Sequence, residues 1–448
     1  MSDERVLDRM RADWNQRAGE DAYYYVAFGR REQDDEEFFS TGKEIVVALE
    51  MDLKRLRGRD AALEIGCGPG RLMRPLSRHF GEIHGVDVSD EMIRMARERL
   101  RNTPNAHPHH SSGSDLALFP DGKFDYVYSY AVFQHIPSRE VVLQYLREAR
   151  RVLKTGGVLR CQINGLPPHA RQYDTWSGVR FSPAEIARFA AAEDFQLLAL
   201  EQIWTQYMWI TCRKRPAGWT ASLARLTDES VCPTGGAGVS ACQPAETASA
   251  QIRSIGNAPT GEAVAPSAGL FASLAVFVQR LPEECDINHL TLTADGKACR
   301  LTYIGEPEAD GAAQVNATLP EGLRTGIVPI ELQWLGRPVC PAGWIRIVPP
   351  GPPTPRIMEL TDAINLLSGN RIVTGLVKVT MREVARPEEF CATVSGRETG
   401  APEYFCVDPI VQKFEFNFRL PEGLAKGPHE VRARLGRREF APLTIEVA

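Results

Sequence analysis

Through the first half of the chain, short apolar runs alternate with amphipathic ones, and glycine-rich turns punctuate them. Ala61-Ala62-Leu63 leads into Glu64-Ile65-Gly66-Cys67-Gly68-Pro69-Gly70, and an amphipathic run then extends from Arg71 to about Phe80. That order predicts strand, glycine loop, helix. A second strand is expected over Glu82–Val86, ending at Asp87. Ser89 and Asp90 supply caps for a helix over residues 91–100. A third strand falls near Ala106–Ser111. A turn at Phe119–Lys123 precedes a fourth strand, Phe124–Ser129. A helix over Ser138–Leu153 and a Thr155-Gly156-Gly157 turn lead to a fifth strand, Val158–Ile163. Ser182 and Pro183 open another helix, and Phe195–Gln202 with Tyr207–Arg213 read as a closing antiparallel pair.

The pattern changes after Lys214-Arg215-Pro216. Residues 232–250 are rich in Gly, Ala, Ser, Pro and Thr, and Pro349–Pro355 is a second break. Between and after these breaks the period is two. Leu319-Pro320-Glu321-Gly322-Leu323 recurs as Leu420-Pro421-Glu422-Gly423-Leu424. Each copy follows alternating apolar positions: Val315, Ala317, Leu319 in one and Phe414, Phe416, Phe418, Leu420 in the other. Each precedes a strand, a Leu-Gly-Arg turn (Leu335–Arg337, Leu435–Arg437) and a final alternating strand. Alternation with closely spaced turns predicts β-sandwiches. A repeat of about 100 residues matches an Ig-like unit in size, and the copies resemble bacterial Ig-like repeats.

The glycine loop is the strongest chemical signal. Glycine permits positive φ and the close approach of a ligand, and the helix that follows aims free N–H groups at the loop. A dinucleotide fingerprint needs a third glycine where Arg71 stands. The string acidic-x-G-x-G-x-G, with Glu64 in front, instead resembles motif I of class I S-adenosylmethionine (SAM) methyltransferases. The bland alternative is a tight glycine turn without a ligand. The resemblance covers about residues 1–215 and implies a seven-stranded α/β sheet of order 3-2-1-4-5-7-6. It implies that Glu64, Gly66, Cys67, Gly68 and Gly70 hold the methionine end of SAM. Asp87 is placed to accept from ribose hydroxyls, with Val88 and Met92 beside it; the alternative is a helix cap. Gly113-Ser114-Asp115-Leu116 resembles the adenine-framing segment, with Asp115 on the amino group and Leu116 on the ring. An ordinary Asx turn is the alternative.

Ser129–His135, with Ile136-Pro137 after it, resembles motif IV and its sequel in small-molecule methyltransferases of the ubiquinone-biosynthesis type. Ligands of open α/β sheets bind beyond the carboxyl ends of the strands. Ser129, Tyr130, Phe133, Gln134 and His135 are therefore expected where methyl donor and acceptor meet. His135 is the candidate general base, with packing as its alternative role. Trp14, Tyr23, Tyr24, Tyr25 and Phe28 precede the first strand, and in this family such segments fold over cofactor and acceptor. Gln162, Asn164, Tyr173, Trp176 and Arg180 follow strand five and suggest a polar, aromatic acceptor pocket suited to a hydroxylated molecule such as a sugar. His107, His109 and His110 lack a ligand-spaced acidic or cysteine partner, so no metal site is expected.

Composition bounds the partners. The chain has 448 residues with a formal net charge of −5, which favours neither nucleic acid nor anionic membrane. The longest apolar run, Leu270–Val278, is too short to span a bilayer, and the charged N-terminus does not read as a secretory signal. A cytoplasmic protein is expected. Ten cysteines contain no C-x-x-C pair, against a zinc or redox motif. Cys285/Cys299 and Cys391/Cys406 fall at similar places in the two copies, as core residues or as disulfides. The expected organisation is a methyltransferase domain over 1–215 (cap 1–42), a linker over 216–250 and Ig-like sandwiches over 251–350 and 356–448. The expected function is SAM-dependent methylation of a small-molecule or glycan acceptor. The sandwiches would bind, space or dimerise, and bring a polymeric or carrier-bound acceptor close. An inactive methyltransferase-fold scaffold and a nicotinamide dehydrogenase are the competing readings.

Overall fold

A computed structural model describes residues 3–27, 31–167, 173–222, 250–269, 271–350, 355–365, 368–384, 386–408 and 412–448. Phe28, Leu270, Cys232, Cys242 and most of the 216–250 linker lie outside them. Contacts divide the chain into two units. One comprises Met1–Pro183, Gln202–Trp209 and Pro352–Ala448; the other comprises Ala184–Glu201 and Ile210–Gly351.

The first unit contains a parallel sheet of β1 (Ala61–Ile65), β2 (Glu82–Asp87), β3 (Ala106–His110), β4 (Phe124–Ser129) and β5 (Leu153–Ile163). Their order is β3-β2-β1-β4-β5, as expected for these five. β1 and β4 are buried along their whole length, as parallel strands covered on both faces are. The helices are α1 (Asp3–Ala27), α2 (Asp35–Ser40), α3 (Lys43–Asp52), α4 (Met73–Leu76), α5 (Asp90–Arg99) and α6 (Arg139–Val152). Ser89 and Ser138 cap α5 and α6 by accepting from the N–H groups of Met92 and Val141. The single helix expected over 71–80 is instead the four-residue α4 followed by a 3-10 turn, Ser77–His79. Pro75 lies inside α4 and has no N–H to give.

The first unit also holds two antiparallel-rich sheets from residues 356–448. One has the order Arg356–Asp362, Leu376–Arg382, Lys413–Arg419, Glu403–Asp408. The other is centred on Gly427–Leu435, between Phe390–Val394 and Leu443–Val447. Val377, Val379, Phe416 and Phe418 of one share a core with Phe390, Val431, Ala433 and Ile445 of the other. Two sheets closing on one core is the layout of a sandwich. The alternating phenylalanines follow from it, since Phe416 and Phe418 point inward.

The second unit contains most of α7 (Pro183–Ala192), β6 (Phe195–Glu201), the greater part of β7 (Met208–Lys214) and the strands of residues 250–350. β6 pairs antiparallel with Lys297–Ile304, Tyr303 standing opposite Ala199. One apolar core runs through the strands, including Leu274, Val276, Leu292, Val328, Ile330, Trp334 and Ile345. None of the eight described cysteines forms a disulfide. Cys285 and Cys299 belong to this core, while in the other copy Cys391 is half-buried and Cys406 exposed. Among the described residues no helix is long and apolar enough to cross a membrane.

Candidate functional site

β1 and β2 run side by side, with Glu64 opposite Gly85 and Ile65 opposite Val86. Beyond their carboxyl ends the glycine loop folds back onto β2. The N–H groups of Gly66 and Cys67 both donate to the Val86 carbonyl, at 2.8 and 3.0 Å. Gly68 N–H donates to Asp87 Oδ2 at 2.9 Å, and Ser89 N–H to Asp87 Oδ1 at 2.9 Å. Gly66 has φ +75° and Gly68 φ +50°, a region that side chains rarely adopt. A Cβ on Gly66 would stand 2.4 Å from Val132. At Gly68 a Cβ would meet Val26 of α1 at 3.4 Å, an ordinary contact, across the space between the loop and that helix.

That space is a cavity lined by Glu64, Ile65, Gly66, Cys67, Gly68, Arg71, Val86, Asp87, Val88, Met92, Tyr130–Val132, His135 and Tyr145. Met10, Trp14, Tyr25 and Val26 of α1 line it too. The helix α1 is held there by Asn15, whose Oδ1 accepts from Ser89 Oγ at 2.7 Å and from Glu91 N–H at 3.2 Å. Tyr23 stacks on Phe38 of α2 with centroids 3.9 Å apart.

The cavity's ionisable groups are perturbed by burial. Glu64, 3% exposed, receives one hydrogen bond, from Tyr128 Oη to Oε2 at 2.8 Å. Burial pushes its pKa up to about 8, against the pull of Tyr128 and Arg71. Asp87 is likewise pushed up by burial, and the N–H groups of Ser89 and Gly68 oppose that. Arg71, 5% exposed, is lowered by burial. His135 is pushed down to about 4, chiefly by burial. Its Nδ1 lies 3.1 Å from the Trp176 carbonyl. A carbonyl only accepts, so Nδ1 carries the proton and Nε2 keeps its lone pair.

Of the expected residues, Glu64, Gly66, Cys67, Gly68, Asp87, Val88, Met92, Tyr130 and His135 thus meet in one cavity, together with Trp14 and Tyr25 of the N-terminal segment. Others serve the frame around it. A Cβ on Gly70 would press 2.8 Å from Leu100. Ser129 Oγ donates to the Ile65 carbonyl at 2.8 Å and ties β4 to β1. Ser114, Asp115 and Leu116 lie outside the lining. The Asp115 carboxylate accepts from Ser112 Oγ at 2.8 Å and Ala117 N–H at 3.0 Å, the pattern of an Asx turn. Phe133 is fully buried beside Tyr145. The Gln134 carbonyl accepts from Gly178 N–H at 2.7 Å. Asn164 Oδ1 accepts from Leu166 N–H, Gln162 Oε1 from Ala131 N–H, and Arg180 donates to the Pro167 carbonyl.

Tyr24 lies under the Arg31 guanidinium, away from the cavity lining. Trp176, 48% exposed, lines a second, outer cavity with Arg9, Asp13, Arg17, Glu20, Asp174 and Thr175. Tyr25 lines both cavities. Of the histidines of β3, His109 Nε2 meets His84 Nδ1 at 2.9 Å, whereas His110 Nε2 lies 3.2 Å from Asp90 Oδ1 of α5. Among the described residues no group of three or more His, Cys, Asp or Glu is arranged to hold a metal ion. The residues that sequence reasoning missed include Met10, Val26, Arg71, Leu72, Val86 and Tyr145. Arg71 adjoins the glycine string, and that adjacency is the one signal that marked it.

Residues 62–157 match the family model described as a methyltransferase domain. Among curated relatives, a trans-aconitate 2-methyltransferase from Agrobacterium fabrum is 36% identical over 26% of this chain and 44% of its own length. A demethylmenaquinone methyltransferase from Staphylococcus saprophyticus is 32% identical over 27% of this chain and 50% of its own length. The chain therefore spans half or less of each of these relatives. Among solved structures, phosphoethanolamine N-methyltransferase 1 of Haemonchus contortus is similar over 49% of this chain and 51% of that one. It is 17% identical, with a TM-score of 0.38. The glycine loop, Glu64 and Asp87 all lie inside the segment that matches the methyltransferase-domain model, and the cofactor is S-adenosylmethionine.

Proposed function

We propose that this protein moves a methyl group from S-adenosylmethionine to a small-molecule acceptor. The observation that carries this reading is the glycine loop pinned across the ends of β1 and β2. Gly68 lines the cavity, and the half-buried Asp87 holds the loop at its rim. The bound donor supplies a sulfonium whose methyl carbon is already electrophilic. The chain's task is then to orient two molecules and keep water out. Glu64 and the loop hold the methionine end, and Asp87 takes the ribose hydroxyls. α1 closes one wall with Trp14 and Tyr25, and Tyr130 and His135 face the same space. The neutral His135 presents Nε2 as a proton acceptor for an acceptor hydroxyl or amine.

The relatives named above methylate trans-aconitate and demethylmenaquinone by name, which supports a small acceptor. Gln162, Asn164 and Arg180 are engaged with backbone groups of their own chain. The aromatic and apolar lining therefore favours a flat or apolar acceptor over a sugar. Residues 1–215 form the catalytic region in this reading, with 251–350 and 356–448 as β-sandwich repeats that bind or assemble. The test is calorimetric titration of the full chain with S-adenosylhomocysteine. Wild type binds, and Asp87→Ala weakens binding about 100-fold, the worth of two hydrogen bonds to a charged group. No binding by wild type removes the donor site; unchanged affinity in Asp87→Ala removes the ribose assignment.

A further inference from the structure

Arg17 of α1 lines the outer cavity and is absent from the lining of the inner one. Its two terminal nitrogens grip one residue of the segment that follows β5. Nη1 donates to the Thr175 carbonyl and Nη2 to Thr175 Oγ1, both at 3.1 Å. Thr175, 2% exposed, donates its own hydroxyl to Asp13 Oδ2, one turn earlier on α1. The Arg17 guanidinium also lies over two indoles, 4.7 Å from the Trp14 centroid and 5.3 Å from that of Trp176, a favourable placement for a cation. Those two rings flank His135. Trp14 meets it edge-on with centroids 5.6 Å apart, and Trp176 lies at 5.9 Å. The carbonyl that receives His135 Nδ1 belongs to Trp176, the residue next to Thr175. One side chain thus joins α1 to the segment and the rings that hold the imidazole.

Which imidazole nitrogen carries the proton is set by the bond that the other makes. While the Trp176 carbonyl stays against Nδ1, the proton stays there and Nε2 keeps a lone pair. If that carbonyl swings away, the proton is free to sit on Nε2, and that nitrogen can then accept nothing. We propose that Arg17 is a positioning residue: by clamping Thr175 it holds the Trp176 carbonyl against His135 Nδ1, and so keeps His135 in the tautomer that accepts a proton at Nε2. The inference rests on the base role given to His135 above. Because the clamp comes from α1, the base is competent only while that helix is seated. Asp174 is the competing anchor, its Oδ1 accepting from the N–H groups of Trp176 and Ser177 at 2.8 and 2.7 Å. That turn fixes the segment's own bend. The planar fork of Arg17 fixes the segment's distance from α1, where Trp14 stands.

The experiment reads tautomers directly, in long-range proton–nitrogen NMR correlation spectra of the ligand-free full chain carrying isotopically labelled histidine. The His135 signals are those that vanish in His135→Gln. Wild type is expected to hold the proton on Nδ1 by about tenfold or more, the worth of one hydrogen bond. Arg17→Met fills the space without donors. It should lower that preference about tenfold while the other histidine signals stay in place. Arg17→Lys keeps a cation near the two indoles without the fork. It should show an intermediate loss, and it guards against an Arg17→Met protein that fails to fold. An undiminished Nδ1 preference in either folded variant overturns the proposal and makes the Asp174 turn sufficient. So does a wild type with the proton on Nε2. The spectra need no ligand, so wild-type protein that fails to bind S-adenosylhomocysteine refutes the donor site as a separate outcome.

Discussion

Two buried arginines show how the same chemistry serves opposite ends in the two units. In the second unit, Arg215 donates to Asp286 Oδ2 at 2.6 Å and to the Glu284 carbonyl at 2.7 Å. Its guanidinium carbon lies 3.4 Å from the Trp219 ring centroid. Asp286 is fully buried, and its Oδ1 accepts from both the N–H and Nδ1 of His289 at 2.8 Å. Nearby, Gln196 of β6 donates to the carbonyls of Glu283 and Cys285. Every charge there has a protein partner. In the first unit Arg71 and Glu64 are as deeply buried, yet neither has the other. A paired buried charge belongs to the scaffold. An unpaired one marks a place that the scaffold leaves for something else.

The contrast is broken most directly by Asp286→Ala. It strands Arg215 and should cost about 3–5 kcal/mol, read in denaturant titration of the full chain. Arg71→Met strands nothing, so the ligand-free variant should be as stable as wild type or slightly more so. Equal losses in the two variants would erase the distinction.

A second test uses pH. Glu64 has a folded pKa raised to about 8 from the usual 4.5, so the folded state holds its proton more tightly than the unfolded chain. Its contribution to stability is complete below pH 4.5 and is lost as pH rises toward 8. Thermal melts of the ligand-free protein should fall over that window. Glu64→Gln should flatten the fall, whereas a parallel pair of curves would remove Glu64 as its source. The smallest expected effect is that of Tyr128→Phe. It removes the one hydrogen bond that favours ionised Glu64, and should weaken S-adenosylhomocysteine binding by roughly tenfold. Unchanged affinity would place the ligand's ammonium elsewhere.

The legible part of this molecule was the part written locally. The serines at 89 and 138 cap helices because a short hydroxyl reaches the free N–H groups of the first turn. Asp87 follows a short strand, and its position beside the glycine loop repeats the strand–loop–helix grammar. The Pro75 break in the expected helix was also local, and the amphipathic period concealed it. Other residues misled for a nonlocal reason. Ser129 and Gln162 carry polar groups suited to a ligand, but backbone atoms distant in sequence reach them first; Asn164 is taken by the nearby Leu166 N–H. The pairing of β6 with Lys297–Ile304 joins residues about a hundred positions apart, which no window of sequence contains.

The sequence by itself determined the strands β1 to β5 as elements, the glycine cradle, the carboxylate at the end of β2 and the alternating strands of the second half; the strand order came from the family resemblance. Periodicity, positive-φ glycines and caps act between near neighbours, so they survive in the linear text. Only the tertiary structure decided which polar groups were left over. Arg71 read from sequence as an obstacle to a dinucleotide; in the fold it is a buried cation between Phe38 and Tyr130 with an unsatisfied Nε. Whether a charge is paired depends on what three-dimensional packing brings within about 3 Å of it. That residue pattern is silent in the chain and explicit in the fold.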